Sequence, residues 1–419
     1  MIKNIINTLK KDKFIRSVSV LATGSILSQV ITILVSPFTT RFFSPSDFGY
    51  YTLFTTVVSI FGPILCLKYD MAIVNSKYIN KMNLLVLGSG ITIIISFFAS
   101  FFYGKIVFKQ NFNIFVFLVL LLLLMSYGAN NLLIALNNSN SEYKLLSKVT
   151  IIKSSVQAVL TIIFGLFNLT KFGLIFAQLI SQVSGSWKQS ESIRNKQNLA
   201  KVISRKKILE VFKLNYKQAL YNTPAALITT LTYSVINLFI SYSYSNEMLG
   251  FYSFSYRMLG LPFMIVSANF AKIFFKEASD EYLISGTLST TFKRSVKILC
   301  AIVLPSMTIL FILAPSLFSI IFGQEWVVSG TIVQILTPMF TIRLIVDSIS
   351  SAYIVRGKQK TELWIQSFLF ISELVIFFVS TINNFNIYYF LGAISLMYFF
   401  VYAINFYVIF RLSCRGDNS

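Results

Sequence analysis

Arg257, Arg343, Asp347 and Glu373 fall inside apolar runs long enough to cross a bilayer. A charge placed there costs about 2.5–3.5 kcal/mol on insertion scales, so each needs a partner, water or a ligand. Guanidinium groups in such a setting bind anions. Arg343 and Asp347 stand one helical turn apart and can pair on one face. Two uses of that pair stay open: a structural ion pair between helices, or a cavity-lining cation held in position by its acid. Arg257 has no acid within a turn, which favours a cavity. Glu373 is a candidate for protonation, for sodium binding, or for a neutral hydrogen bond to a neighbouring helix. Three more charges mark the ends of runs: Arg41 at one end, and Lys68 with Asp70 at another. Lys68 and Asp70 can also simply snorkel to the headgroups. Uncharged polar residues gather in the first and seventh runs, among them Ser28, Gln29, Thr230 and Asn237. They suit either interhelical hydrogen bonds or a shared aqueous cleft.

The elements that must carry these residues are transmembrane helices. The chain has 419 residues, is 55% hydrophobic and has net charge +21. Runs of about 20 residues predict roughly twelve spans. They cover 17–40, 50–67, 84–104, 112–136, 149–167, 170–187, 219–243, 250–275, 297–322, 328–354, 364–382 and 387–410. With both termini on the cytoplasmic side, the outer segments hold only Arg41, Lys105, Lys109 and Lys171 among the basic residues. The inner segments collect the rest outside the spans, including Lys144, Lys148 and Lys153 in one loop. This is the positive-inside pattern, and it tests the helix count as well as the orientation. The basic loops therefore point to topology and anionic headgroups, and not to nucleic acid.

The expected fold is an all-α integral membrane protein of two six-helix lobes around a central cleft. The first lobe covers 1–187, with a basic amphipathic N-terminal arm at Ile5, Ile6, Leu9, Lys10 and Lys11. A basic linker covers 188–217 and turns amphipathic after Ile203, as a helix in the headgroup region would. The second lobe covers 218–419. Ser44-Pro45-Ser46-Asp47-Phe48-Gly49-Tyr50-Tyr51 follows the first span, and Ser245-Asn246-Glu247-Met248-Leu249-Gly250-Phe251-Tyr252 follows the seventh. An even number of spans per half makes this a parallel repeat, whose halves can rock against each other.

Other chemistries lack their residues. There is no GxxxxGK[ST] loop, no GxSxG and no HExxH. His is absent, and Cys66, Cys300 and Cys414 have no paired spacing, so neither a metal site, a disulfide nor a cofactor is expected. The outer loops are short and hold only Asp47, Glu247 and Glu325 as acids, which disfavours a membrane glycan polymerase or ligase.

Thr40-Arg41-Phe42-Phe43-Ser44-Pro45-Ser46-Asp47-Phe48-Gly49 resembles the signature of bacterial polysaccharide flippases. These form the polysaccharide-transporter family of the multidrug/oligosaccharidyl-lipid/polysaccharide superfamily. Leu67-Lys68-Tyr69-Asp70-Met71-Ala72-Ile73 resembles a second motif of that family, with Lys for Arg and Asp for Glu. Lys keeps the charge but loses the bidentate fork. The resemblance implies a bacterial plasma-membrane protein that moves a polyprenyl-diphosphate-linked oligosaccharide to the outer face by alternating access. It implies proton or sodium as a coupling ion and glycan polymerase machinery as a neighbour. Arg257 and Arg343, with Arg41 and Lys68 at the two mouths, would then solvate the diphosphate. A multidrug exporter of the same superfamily is the alternative. Such exporters want a carboxylate in the first lobe, and span one has no acid.

Overall fold

The computed structural model describes residues 13–194 and 203–414. The N-terminal arm and part of the basic linker lie outside the described residues. The described chain is helical, with 3₁₀ and π turns between longer helices. The helices are α1 (Lys13–Phe42), α2 (Pro45–Phe61), α3 (Tyr69–Asn75), α4 (Tyr78–Phe108), α5 (Ile114–Ser139), α6 (Tyr143–Leu166), α7 (Thr170–Gln189) and α8 (Glu191–Arg194). They continue as α9 (Arg205–Lys217), α10 (Thr223–Ser243), α11 (Asn246–Ser285), α12 (Ser289–Phe322), α13 (Val327–Ile349), α14 (Ala352–Val355), α15 (Gln359–Ile382) and α16 (Ile387–Cys414).

Each of the twelve expected spans overlaps one of these helices, although 50–67 runs past the end of α2 into a turn and 328–354 continues over α14. Nine runs among the described residues are long and apolar enough to cross a membrane, those containing α1, α4, α5, α6, α10, α12, α13, α15 and α16. The other three expected spans fall on α2, α7 and α11, and each differs for a physical reason. α2 has 17 residues and rises only about 26 Å. α7 carries Gln178, Ser181, Gln182 and Gln189 on its buried side. α11 runs for 40 residues and carries Arg257, Lys272, Lys276 and Glu277. Lys272, Lys276, Lys293, Arg294 and Lys297, expected on the inner side, therefore stand on helices and not on loops. A helix that continues past the hydrocarbon keeps its backbone hydrogen bonds satisfied.

By contacts the chain divides into two units, Met1–Leu238 and Phe239–Ser419. The boundary lies within α10, downstream of the 188–217 segment. In the first unit α6 packs on α1 and α7, and α5 packs on α4 and α7. The α1–α6 crossing is close: a Cβ on Gly24 would come within 2.9 Å of the Ser147 Cα. α9 docks on α4. Its Val211 is buried, while Leu209 and Leu214 remain exposed on the face expected to meet lipid.

In the second unit α13 is central, against α11, α12 and α16, and the run containing it is the most buried of the nine. Small residues permit this. A Cβ on Gly330 would lie 2.5 Å from the Pro315 Cα of α12. Ser255 and Ser329 stitch α11 to α13: the Ser255 hydroxyl donates to the Ser329 carbonyl at 2.8 Å, and the Ser329 hydroxyl to the Phe251 carbonyl at 3.0 Å. Such small, hydroxylated interfaces are how membrane helices associate without a hydrophobic drive.

The two matching sequence segments have the same local job. Ser44 N-caps α2, with a full capping box to Asp47. Ser245 N-caps α11, accepting from the Met248 amide at 3.1 Å. Each serine satisfies a backbone donor that has no intrahelical partner.

α12 is capped from outside itself. Glu281 of α11 accepts from the amides of Thr290 at 2.9 Å and Thr291 at 2.7 Å. Partial burial raises the Glu281 carboxyl and these hydrogen bonds outweigh it, so its pKa sits below the ordinary 4.5. A depressed acid stabilises the folded state above its unfolded pKa and loses that contribution as pH falls through the folded value. Glu281→Ala is therefore expected to cost about 1 kcal/mol. In thermal unfolding of the detergent-solubilised protein, the gap between wild type and variant should shrink as pH falls below about 4.5. A gap independent of pH would mean that the carboxylate is not the cap.

Candidate functional site

The second unit gathers the membrane-embedded charges. Arg343 on α13 is 13% exposed and Asp347 31%, and the Arg343 Nε meets the Asp347 Oδ2 at 3.3 Å. Arg343 also donates to the Tyr256 hydroxyl of α11 at 2.9 Å. Tyr256 is held in turn by an edge contact with Phe340 at 5.1 Å and by Tyr252 at 5.8 Å. Tyr252 is buried and within electrostatic reach of both Arg343 and Glu373. Glu373 on α15 is fully buried; its Oε2 accepts from Tyr398 at 3.4 Å and its Oε1 has no hydrogen-bond partner. So α11, α13, α15 and α16 hold one arginine, two carboxylates and three tyrosines in a single neighbourhood. A mobile proton or a small cation finds acceptors there, and an anion finds Arg343 already engaged.

Arg257 follows Tyr256 on α11. It is half-buried and makes no ion pair or hydrogen bond among the described residues. It is thus a guanidinium of the second unit left uncommitted among the described residues.

The first unit holds Arg41 and Lys68, expected at the two mouths of a cleft, well apart. Arg41 is exposed at the end of α1, just before α2. Lys68 lies beyond the other end of α2, so the two cations are separated by that helix, about 26 Å. Leu67 and Lys68 have φ of 45° and 59°, a left-handed turn that delivers Tyr69 inward. Tyr69 is buried and stacks on Phe212 of α9 at 6.1 Å. The Leu-Lys-Tyr-Asp motif is therefore the socket for the amphipathic helix. Asp70 is half-buried with its Oδ1 unpartnered; burial raises its carboxyl above the usual range, and Lys68 pulls in the opposite direction. Gln29 on α1 is half-buried with no hydrogen bond among the described residues. Asn237 on α10 donates to the Thr56 hydroxyl of α2 at 3.1 Å, and Thr230 donates to the Ile60 carbonyl at 3.0 Å. Asn237 thus serves an interhelical hydrogen bond.

Lys153, grouped with the inner basic residues although it falls inside the expected span 149–167, lies within α6, about 15 Å along from Tyr143. Its aliphatic stem crosses Gly185 of α7, where a Cβ would come 2.5 Å from the lysine Cδ. Beside it runs a polar ladder: Asn130 donates to the Gln182 carbonyl at 2.9 Å, and Gln189 donates to the Asn130 Oδ1 at 3.1 Å. No acid pairs with Lys153 among the described residues. The available signal was Ser141-Glu142, a break that starts the helix earlier than hydropathy suggests.

A family model described as "Polysaccharide biosynthesis protein" matches residues 38–331. No curated protein matches the chain. Among solved structures, an inward-facing multidrug resistance MATE family transporter of the MOP superfamily aligns at 14% identity. It covers 94% of each chain with a TM-score of 0.69. The lipid II flippase MurJ in an inward closed conformation aligns at 13% identity over 94% of this chain and 87% of that one, with a TM-score of 0.72. A MOP superfamily transporter from Pyrococcus furiosus aligns at 11% identity over 95% of each chain, with a TM-score of 0.53. These likenesses establish a multi-pass membrane protein with the fold of MOP transporters.

Proposed function

The chain belongs to the polysaccharide biosynthesis protein family, and from that premise we propose that it flips polyprenyl-diphosphate-linked oligosaccharides across the bacterial plasma membrane. The glycan unit, built on the cytoplasmic face, is carried to the outer face for surface polysaccharide synthesis. Neither a diphosphate nor a sugar chain crosses about 30 Å of hydrocarbon unaided. Two six-helix lobes that alternate access to a central cleft solve this, with the lipid tail left in the bilayer.

The observation that carries this reading is Arg257, a half-buried guanidinium on a long apolar helix with no acid pairing with it among the described residues. An anionic headgroup supplies the missing charge. Lys153 adds an ammonium in the first unit that no acid pairs among the described residues. Arg343, tied to Asp347 and Tyr256, is better placed to orient its neighbours than to travel with substrate. Glu373 is the candidate for coupling to a proton or sodium ion. A buried carboxylate also suits a cationic drug, so the multidrug exporter is the second reading.

Reconstitution into vesicles separates these. Vesicles loaded on one side with a fluorescent polyprenyl-diphosphate-linked oligosaccharide should expose it on the other side only when the protein is present, with no change in glycan length. Elongation of the glycan would identify a polymerase. Efflux of a cationic dye without glycan transfer would identify a drug exporter and overturn the proposal.

A further inference from the structure

The second unit has a concavity to which none of these charged residues belongs. It lies where α10 ends, α11 begins and α15 turns into α16, and it encloses about 660 Å³. That is a size typical of small-molecule sites. The junctions around it, 244–245 and 383–386, hold no basic residue, so they sit on the face read from the sequence as outer.

Its lining is aromatic and neutral. Phe239, Tyr244 and Phe385 contribute rings, Asn384 an amide, and Ser380 and Thr381 hydroxyls; no Lys, Arg, Asp or Glu takes part. The rings are fixed in advance. Phe239 stacks on Phe377 with centroids 4.4 Å apart, and the Tyr244 hydroxyl donates to the Phe385 carbonyl at 3.0 Å. Two polar groups are left open. Ser380 is 3% exposed and its hydroxyl has no hydrogen-bond partner. Asn384 sits in the left-handed region at φ 48° and its amide makes no hydrogen bond among the described residues.

Each candidate ligand class can be weighed against this lining. A phosphate finds no cation. An acyl chain leaves the buried Ser380 hydroxyl unsatisfied, which is costly, and gives the Asn384 amide nothing to bond. Aromatic anchors for the membrane interface project towards headgroups and need no cavity. A pyranose ring fits both halves: its C–H face packs on the rings, and its hydroxyls donate and accept with Ser380 and Asn384. We propose that this concavity is a saccharide subsite, which holds a neutral sugar of the transported glycan at the outer face. The choice of the glycan as the source of sugar rests on the flippase reading; the subsite itself does not.

The test uses the full-length protein in lipid nanodiscs and saturation-transfer NMR with glucose, galactose and N-acetylglucosamine, plus mannitol as an acyclic polyol. Saturation should reach the ring protons of at least one pyranose and stay at background for mannitol. Tyr244→Ala and Asn384→Ala should each lower that signal at least threefold, and Lys105→Ala on the first unit should leave it unchanged. Absence of transfer in the wild type overturns the proposal, as does transfer in both variants at the wild-type level. Asn384→Ala, an exposed turn residue, keeps the test meaningful if Tyr244→Ala fails to fold. The source is read by competition. Displacement by a lipid-linked oligosaccharide, but not by polyprenyl diphosphate alone, supports the transported glycan. Displacement by soluble polysaccharide only overturns that assignment. Vesicle transport that fails while pyranose transfer persists counts against the flippase reading and leaves the subsite standing.

Discussion

Asp347→Ala should destabilise the second unit by about 1.5–3 kcal/mol, the usual worth of a hydrogen bond to a charged group, here on a half-buried arginine. Arg343 is 13% exposed, and the variant would leave it with the Tyr256 hydroxyl but no counter-charge from its own helix. Because α13 packs against α11, α12 and α16, strain there reaches most of the unit. The companion variant Arg343→Met with Asp347→Leu removes both charges. Swapping a buried pair for apolar residues of similar volume is often neutral or better, so the double variant should recover most of the lost stability. The melting temperature of the purified protein in detergent checks this, and vesicle transport adds the second readout. Recovery of both stability and transport makes the pair structural. Recovery of stability without transport makes Arg343 part of the site. An unchanged melting temperature in Asp347→Ala would show that Arg343 does not depend on its neighbour.

Helix content and membrane character were legible from length and hydropathy, because a lipid-facing helix is apolar nearly all round. Helix ends were less so. Glu281, Lys293 and Arg294 are charged, yet the helices run through them, since nothing in hydropathy distinguishes a helix extension from a loop. Lys153 was grouped with the inner basic residues by the same blindness. A lysine near an apolar run reads as its boundary, and only the Gly185 slot on another helix reveals that the stem is accommodated inside.

The site was legible only in part. Spacing alone identified the Arg343–Asp347 pair, because i,i+4 geometry is local. The Tyr256 hydroxyl that completes it is a long-range contact with no sequence signature. The family motifs proved informative about fold in a way that the charges within them concealed. Ser44 and Asp47 form a cap, and Leu67 and Lys68 form a turn that seats Tyr69 against Phe212. Arg41 and Lys68, expected at opposite mouths of a cleft, lie beyond opposite ends of α2, so no single headgroup meets both at once.

Arg257→Ala should sharply reduce export of surface glycan while the protein remains in the membrane at its normal level. A charge-assisted hydrogen bond contributes about 1.5–3 kcal/mol, so losing one lowers transport about 10- to 150-fold. Stability should hardly change, because Arg257 has no partner among the described residues to leave stranded. In this it differs from Asp347, whose removal exposes a mate. Arg257→Lys should retain part of the activity: the ammonium keeps the charge and loses the planar fork. Arg257→Glu should be as inactive as the alanine variant, since a carboxylate repels the diphosphate. Transport of the lipid-linked oligosaccharide in vesicles, measured beside protein abundance, distinguishes these outcomes. Normal transport in Arg257→Ala would remove the residue from the substrate path. Equal loss in Lys and Ala would mean that geometry, more than charge, is what the diphosphate requires at this position.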